Sequence, residues 1–165
     1  NRPSWSWDGS KVISAIYGKD FTDIFSINVA NGKTKRLTFD GGRYGIMTSA
    51  TTMLYTKLKR GLWQQDFDSK LAPIEIVDGK DFTTLYAWSY NNNGVYFNKE
   101  FSDHQQIIFF DFHKKATMPL MRFPLHSFSS SGSIAYISSQ DKLFYTRSSY
   151  PQTDIKMVAN SPLLN

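Results

Sequence analysis

Three histidines, fourteen acidic residues and no cysteine bound the chemistry open to this 165-residue chain. His104, His113 and His126 are not spaced as H-x-x-x-H or H-E-x-x-H, the patterns that set two imidazoles on one helix face to hold zinc. The stretch Ser102-Asp103-His104-Gln105 predicts a hairpin loop, and His113 follows an expected strand, so both fall at surface turns. Without cysteine there are no disulfides and no thiolate-held metals. No G-x-S-x-G elbow occurs, so a serine hydrolase nucleophile is not encoded. Ser129-Ser130-Ser131-Gly132-Ser133 has loop composition instead. No P-loop and no G-x-G-x-x-G is present, and Gly41-Gly42 reads as a turn. Asp66 with Asp68, or Asp20 with Asp23, could offer oxygen ligands, but a calcium loop needs more ligands in fixed order. Asp8, Asp23 and Asp154 are better suited to fixing turns and strand ends through backbone amides. The expectation is a chain with no catalytic residue, no metal and no cofactor, and hence not an enzyme.

Binding is the other class. Trp5, Trp7, Trp63 and Trp88, with thirteen Phe and nine Tyr, could form a stacking platform. Packing between sheets is the stronger use for so many rings. Lys57, Lys59 and Arg60 are the densest basic run. They fall in an expected hairpin loop, where they would be exposed and could meet an acidic partner. With His104 they are the candidate partner-contact residues. The net charge of +5 is spread along the chain, which suits a solvated surface.

These residues need elements to carry them. Ser4-Trp5-Ser6 is a short strand, and Trp7-Asp8-Gly9-Ser10 turns it back, since Gly accepts a positive φ at low cost. Lys11 to Tyr17 is a second strand rich in Val, Ile and Tyr. Gly18-Lys19-Asp20 turns again, and Asp23 to Val29 alternates faces as a third strand. Asn31-Gly32 makes the next hairpin, and Thr34 to Thr38 is an outer strand whose Lys35 and Arg36 suit an exposed edge.

The residues Trp5, Ser6, Asp8, Gly9, Lys11, Asp23, Ile24, Asn31, Gly32, Arg36, Leu37 and Thr38 follow the order W-S-x-D-G-S-K, D-I-F, N-G-K-x-x-R-L-T. Over these roughly forty positions the chain resembles the TolB-type (PD40, WD40-like) β-propeller repeat. The resemblance implies blades of four antiparallel strands, with Trp5, Asp8, Gly9, Asp23, Trp88 and Asp154 as structural blade positions.

Copies follow by spacing. Ile46 takes the place of Trp5 in a second copy, with strands over Thr51 to Thr56, Leu62 to Phe67 and Ile74 to Val77. Trp88-Ser89-Tyr90 opens a third copy, continued by Val95 to Phe97, Gln106 to Phe112 and Thr117 to Phe123. Pro119 is tolerable there because an outer strand can spare a donor. In the fourth copy Ile134 to Ser138, Lys142 to Ser148 and Asp154 to Val158 are strands, and no outer strand is evident. Repeats of about 41 to 48 residues with four strand signals each suit propeller blades better than a sandwich or barrel. The expected architecture is all-β, a single propeller segment over 1–165 with blades near 3–40, 43–78, 84–123 and 133–159. The chain starts at Asn1 without an initiating Met, which predicts a fragment or processed chain, and open blade ends predict a homodimer.

The resemblance implies a non-catalytic module that binds proteins or ligands, in a periplasmic setting, as in TolB or the C-terminal part of a membrane-anchored bacterial transcriptional regulator. The DNA-binding part of such a regulator would lie elsewhere, so no direct nucleic acid contact is expected here. No apolar run approaches about 18 residues, the length a spanning helix needs. The rival class is the propeller of a serine peptidase or a sugar-active lyase without its catalytic part.

Overall fold

The computed structural model describes residues 2–58, 61–128, 134–149 and 152–159, with residues 149 and 152–159 described by backbone alone. Fifteen strands and one short 3-10 turn, Ser138–Gln140, make up these residues. The first sheet has β1 Ser4–Trp5, β2 Lys11–Tyr17, β3 Thr22–Asn28 and β4 Thr34–Arg36 in that order. The second has β5 Tyr44–Met47, β6 Thr52–Thr56, β7 Leu62–Asp66 and β8 Ile74–Val77. The third has β9 Trp88–Asn91, β10 Gly94–Glu100, β11 His104–Asp111 and β12 Ala116–Pro124. The fourth holds β13 Ile134–Ile137, β14 Lys142–Ser149 and β15 Gln152–Ala159. All pairings are antiparallel hairpins between sequence neighbours. Contacts divide the chain into two compact units, 1–86 with the first two sheets and 87–165 with the other two.

The turns are set by one recurring device. A strand-end Asx accepts amide hydrogens from the turn that follows. Asn28 Oδ1 takes those of Ala30 (3.0 Å) and Asn31 (3.2 Å), Asp66 that of Asp68, Asn91 that of Asn93, and Asp111 those of His113 and Lys114. Asp8 does the same for the first hairpin. Its Oδ1 accepts from Ser6 Oγ at 2.7 Å, from Ser10 N at 3.1 Å and from Ser10 Oγ at 2.8 Å. Gly9 follows at φ 70°, a backbone angle that a Cβ would strain. These donors hold the Asp8 carboxyl well below its usual range, the Ser6 hydroxyl first.

In unit 1 the core joins Ile13, Ile24, Met53 and Tyr55, with Leu37, Met47, Trp63 and Phe67 against them. In unit 2 it joins Tyr96, Ile107, Phe109, Phe123, Phe128, Ile134 and Leu143. Each such side chain contributes about 1.5–3 kcal/mol by leaving water. Rings meet at tilted or edge-on angles, Tyr96 to Phe109 at 4.8 Å and Phe123 to Phe128 at 4.7 Å. Gln105, buried on β11, pins the segment after β12. Its Oε1 accepts the Phe128 amide hydrogen at 2.9 Å, and its Nε2 donates to Glu100 Oε2 at 2.9 Å.

Two expectations need correction. Trp5 and Trp88 do not occupy equivalent places. Ser4 Oγ donates to Gly45 O, bridging β1 to β5, and Ser89 Oγ accepts from Tyr136 N, bridging β9 to β13. Ser4 therefore matches Ser89, two residues off the Trp alignment. Trp88 is fully buried while Trp5 is 61% exposed. His104 is not in a loop: it opens β11, where it pairs with Pro124 of β12. Pro119 lies in the outer strand as expected, beside a register irregularity at Ile107/Ile108 that places Ile108 opposite it. Asp154 pairs with Arg147 through the backbone, and its side chain lies outside the described residues.

Candidate functional site

In unit 1 three turns gather at one end of the first two sheets: β2 to β3, β4 to β5 and β6 to β7. They surround a cleft of about 820 Å³. The β4–β5 connection forms its wall and is held from below by Asp23. That carboxylate, 1% exposed, accepts from Thr38 Oγ1 at 2.8 Å and from Gly41 N at 3.1 Å, and it pairs with Arg36. Thr38 Oγ1 accepts in turn from Ile24 N at 2.9 Å. The Arg36 guanidinium lies over Phe21 at 4.6 Å and over Phe39 at 4.9 Å. One buried carboxylate thus fixes the outer strand, the connection and two rings of the rim.

Lys57 forms the cleft's second fixed point. It was expected to be exposed in a hairpin loop; it is 8% exposed. Its ammonium pairs with Asp40 and sits 3.6 Å from the centre of the Trp63 ring. A charge this enclosed needs both partners, because an unpaired buried ammonium is strongly disfavoured. Beneath it burial pushes the Tyr55 phenol up, with the Asp40 and Asp23 carboxylates adding to the effect. Arg43 lies over Tyr17 at 5.2 Å. The Tyr17 hydroxyl meets that of Tyr86 at 3.3 Å, a hydrogen bond that lowers the Tyr17 phenol.

The rim is apolar and open. Phe39 is 75% and Leu58 64% exposed, and Phe21 is also exposed. Large apolar side chains left in water beside a cleft mark binding surfaces more often than solvated ones do. The buried Asp23 and the exposed Asp40 are each matched by a cation, Arg36 and Lys57. Among the described residues no group of three or more His, Cys, Asp or Glu could hold a metal ion, and no helix is long and apolar enough to cross a membrane.

Of the other candidate contact residues, Lys59 and Arg60 lie outside the described residues. His104 belongs to unit 2, where its Nδ1 stands 2.6 Å from Asp103 Oδ1 and its Nε2 2.9 Å from Gln106 Nε2. Its ring stacks on Phe101 at 4.5 Å, and Arg122 Nη2 donates to Asp103 Oδ2 at 2.8 Å. The His104 bond leads the effects that lower the Asp103 carboxyl. His113 and His126 are exposed. Phe39, Asp40, Leu58 and Trp63 were not singled out together by the sequence. The signal was present only as an aromatic and an acid directly before Gly41-Gly42.

No protein-family model matches the chain, and no curated protein matches it. Solved structures do match. TolB from Acinetobacter baumannii superposes with a TM-score of 0.74 at 12% identity, over 95% of this chain and 40% of that one. A structure described as putative TolB from Agrobacterium tumefaciens gives 0.66 at 12% identity, over 94% and 56%. Oligogalacturonate lyase from Vibrio parahaemolyticus gives 0.62 at 13% identity, over 89% and 45%. The chain has a TolB-like β-propeller fold. It spans about 40% to 56% of the length of these three structures.

Proposed function

We propose that this chain is a non-catalytic binding module whose partner docks on the cleft of unit 1. The observation that carries this reading is the open rim of Phe39 and Leu58 beside a buried carboxylate, Asp23, and a buried ammonium, Lys57, that are each already paired. With those two buried charges matched, the exposed Phe39 and Leu58 offer apolar contact of the kind that anchors a protein partner. The TolB-like fold supports the same class, and the setting it favours is the periplasm, either in a TolB-like assembly or as the outer part of a membrane-anchored transcriptional regulator.

A photo-crosslinking residue placed at position 39 or 58 tests the reading in the producing cell. A single protein species should be captured at both positions and not from position 70 on the β7–β8 turn. The purified pair should then bind about tenfold more weakly when Phe39→Ser and Leu58→Ser are combined, with the circular dichroism unchanged. Equal capture from all three positions overturns the proposal. The fold likeness to a lyase gives the rival reading its support. Release of unsaturated products from oligogalacturonate by the chain would favour that reading and remove the non-catalytic one.

A further inference from the structure

The opposite ends of the same two sheets form a second, smaller cavity in unit 1. The β1–β2, β5–β6 and β7–β8 turns enclose about 220 Å³, on the order of seven waters of liquid volume. Its floor is apolar. Ile13 is buried in the core, and Leu37, Met47 and Phe67 pack against that core and line the space. The Trp7 indole, 63% exposed, stands at the mouth.

Two ammonium groups flank the same mouth. Ile13 lies opposite Ser26 in the sheet, and Ser26 lies opposite Lys35. Lys35 therefore stands on the cavity face, and so does Lys11, two residues before Ile13. Neither lysine is in an ion pair among the described residues. Two carboxylates also reach the lining, Asp8 and Asp68. Asp8 is occupied by the Ser6 hydroxyl and by the Ser10 amide and hydroxyl. Those donors are neutral, so Asp8 stays ionised, but they engage both of its oxygens and hold it within its own turn. The two ammonium groups are left outside any ion pair among the described residues, beside an apolar slot.

We propose that this cavity is a binding site for a small apolar monocarboxylate, an aryl or branched aliphatic acid. Its hydrocarbon part would lie on Met47, Phe67 and Leu37, and its carboxylate would accept from Lys11 and Lys35. The pairing supplies both terms that a small site needs, an apolar body removed from water and a charge met at the rim. It is independent of the cleft at the other end.

The test is a titration of the 165-residue chain with phenylacetate, followed by amide and methyl NMR shifts. Saturable binding near the millimolar range is expected, with shifts at Lys35, Met47 and Phe67. Phenethylamine, the same ring with the charge reversed, should bind about tenfold more weakly. Combined Lys11→Gln and Lys35→Gln should weaken phenylacetate by a similar factor. Ala50→Phe fills the slot without touching either charge and should abolish the shifts. Equal affinity for phenethylamine, indifference to the lysine changes, or no saturation with phenylacetate would each overturn the proposal.

Discussion

Asp23 is a buried carboxylate that ties together three separate parts of unit 1. Its carboxylate joins Arg36, Thr38 and Gly41, three partners spread over the outer strand and the connection beyond it. Asp23→Ala leaves Thr38 and Gly41 donors facing an apolar space, and it strips Arg36 of its countercharge. Unsatisfied groups of this kind cost about 1–3 kcal/mol each when buried. Partial exposure of Arg36 limits the ionic share. A net loss of about 2–3 kcal/mol is expected from urea unfolding. Tyr136 gives a pH-dependent case. Burial, then its 2.7 Å hydrogen bond to Asp141, pushes the phenol up to about 12. Folding therefore favours the neutral phenol. That contribution is complete below the ordinary value near 10 and drains away as pH rises through the folded one. Relative to Tyr136→Phe, the parent chain should lose stability between about pH 10 and pH 12, read by unfolding at a series of alkaline pH values. The roles of Asp8 and Gly9 were legible in the sequence, because a turn's chemistry is written in adjacent letters. That of Lys57 was not. Its partner Asp40 stands on a different connection, and only the fold brings them together.

Strands were the most legible elements. Apolar alternation marked the strands of the first sheet, Asx-Gly marked two of its three hairpins and Gly18-Lys19-Asp20 the other, and the outer position of Pro119 followed from its missing donor. Register between the copies was harder to read. Matching Trp5 to Trp88 by letter set the copies two residues out of register, because the geometry that repeats lies in the serines that bridge the sheets. The extent of β11 was also missed. His104 and Gln105 look like loop residues, yet the strand reaches them, since Glu100 and Gln105 form a register pair and Gln105 is held by Phe128. At the start of β10, Gly94 has a structural reason that the sequence hid behind a turn signal. A Cβ there would fall 2.0 Å from Phe110 O and 2.6 Å from the Phe109 ring. A backbone carbonyl cannot step aside as a flexible side chain does. Gly94→Ala should therefore cost about 3 kcal/mol or more, beyond a normal overpacking penalty, as measured by chemical or thermal unfolding.

At the scale of the molecule, three sheets have four strands and the fourth has three among the described residues. β15 pairs with β14 along its whole length, from Gln152 opposite Ser149 to Ala159 opposite Lys142. No described residue pairs with its outer edge. An eight-residue edge of this kind is a template for another strand. Self-association is therefore expected. Light scattering should give a mass rising with concentration above the 18.9 kDa of one chain. A constant single-chain mass would refute it. The three described strands of the fourth sheet were legible from the repeat spacing. The division into two compact units was not, since each blade copy predicts its own hairpins but not which sheets share a core.

The Gln105 side chain behaves as a spare peptide group, with one face accepting from Phe128 and the other donating to Glu100. A table of residue similarity would rank glutamate as its mildest replacement. The geometry ranks it among the worst. It would set a second carboxylate against Glu100, while methionine would forfeit the side-chain bonds and add no repulsion. Sequence drift at this position should therefore run toward uncharged residues of similar length, against the usual exchange preferences.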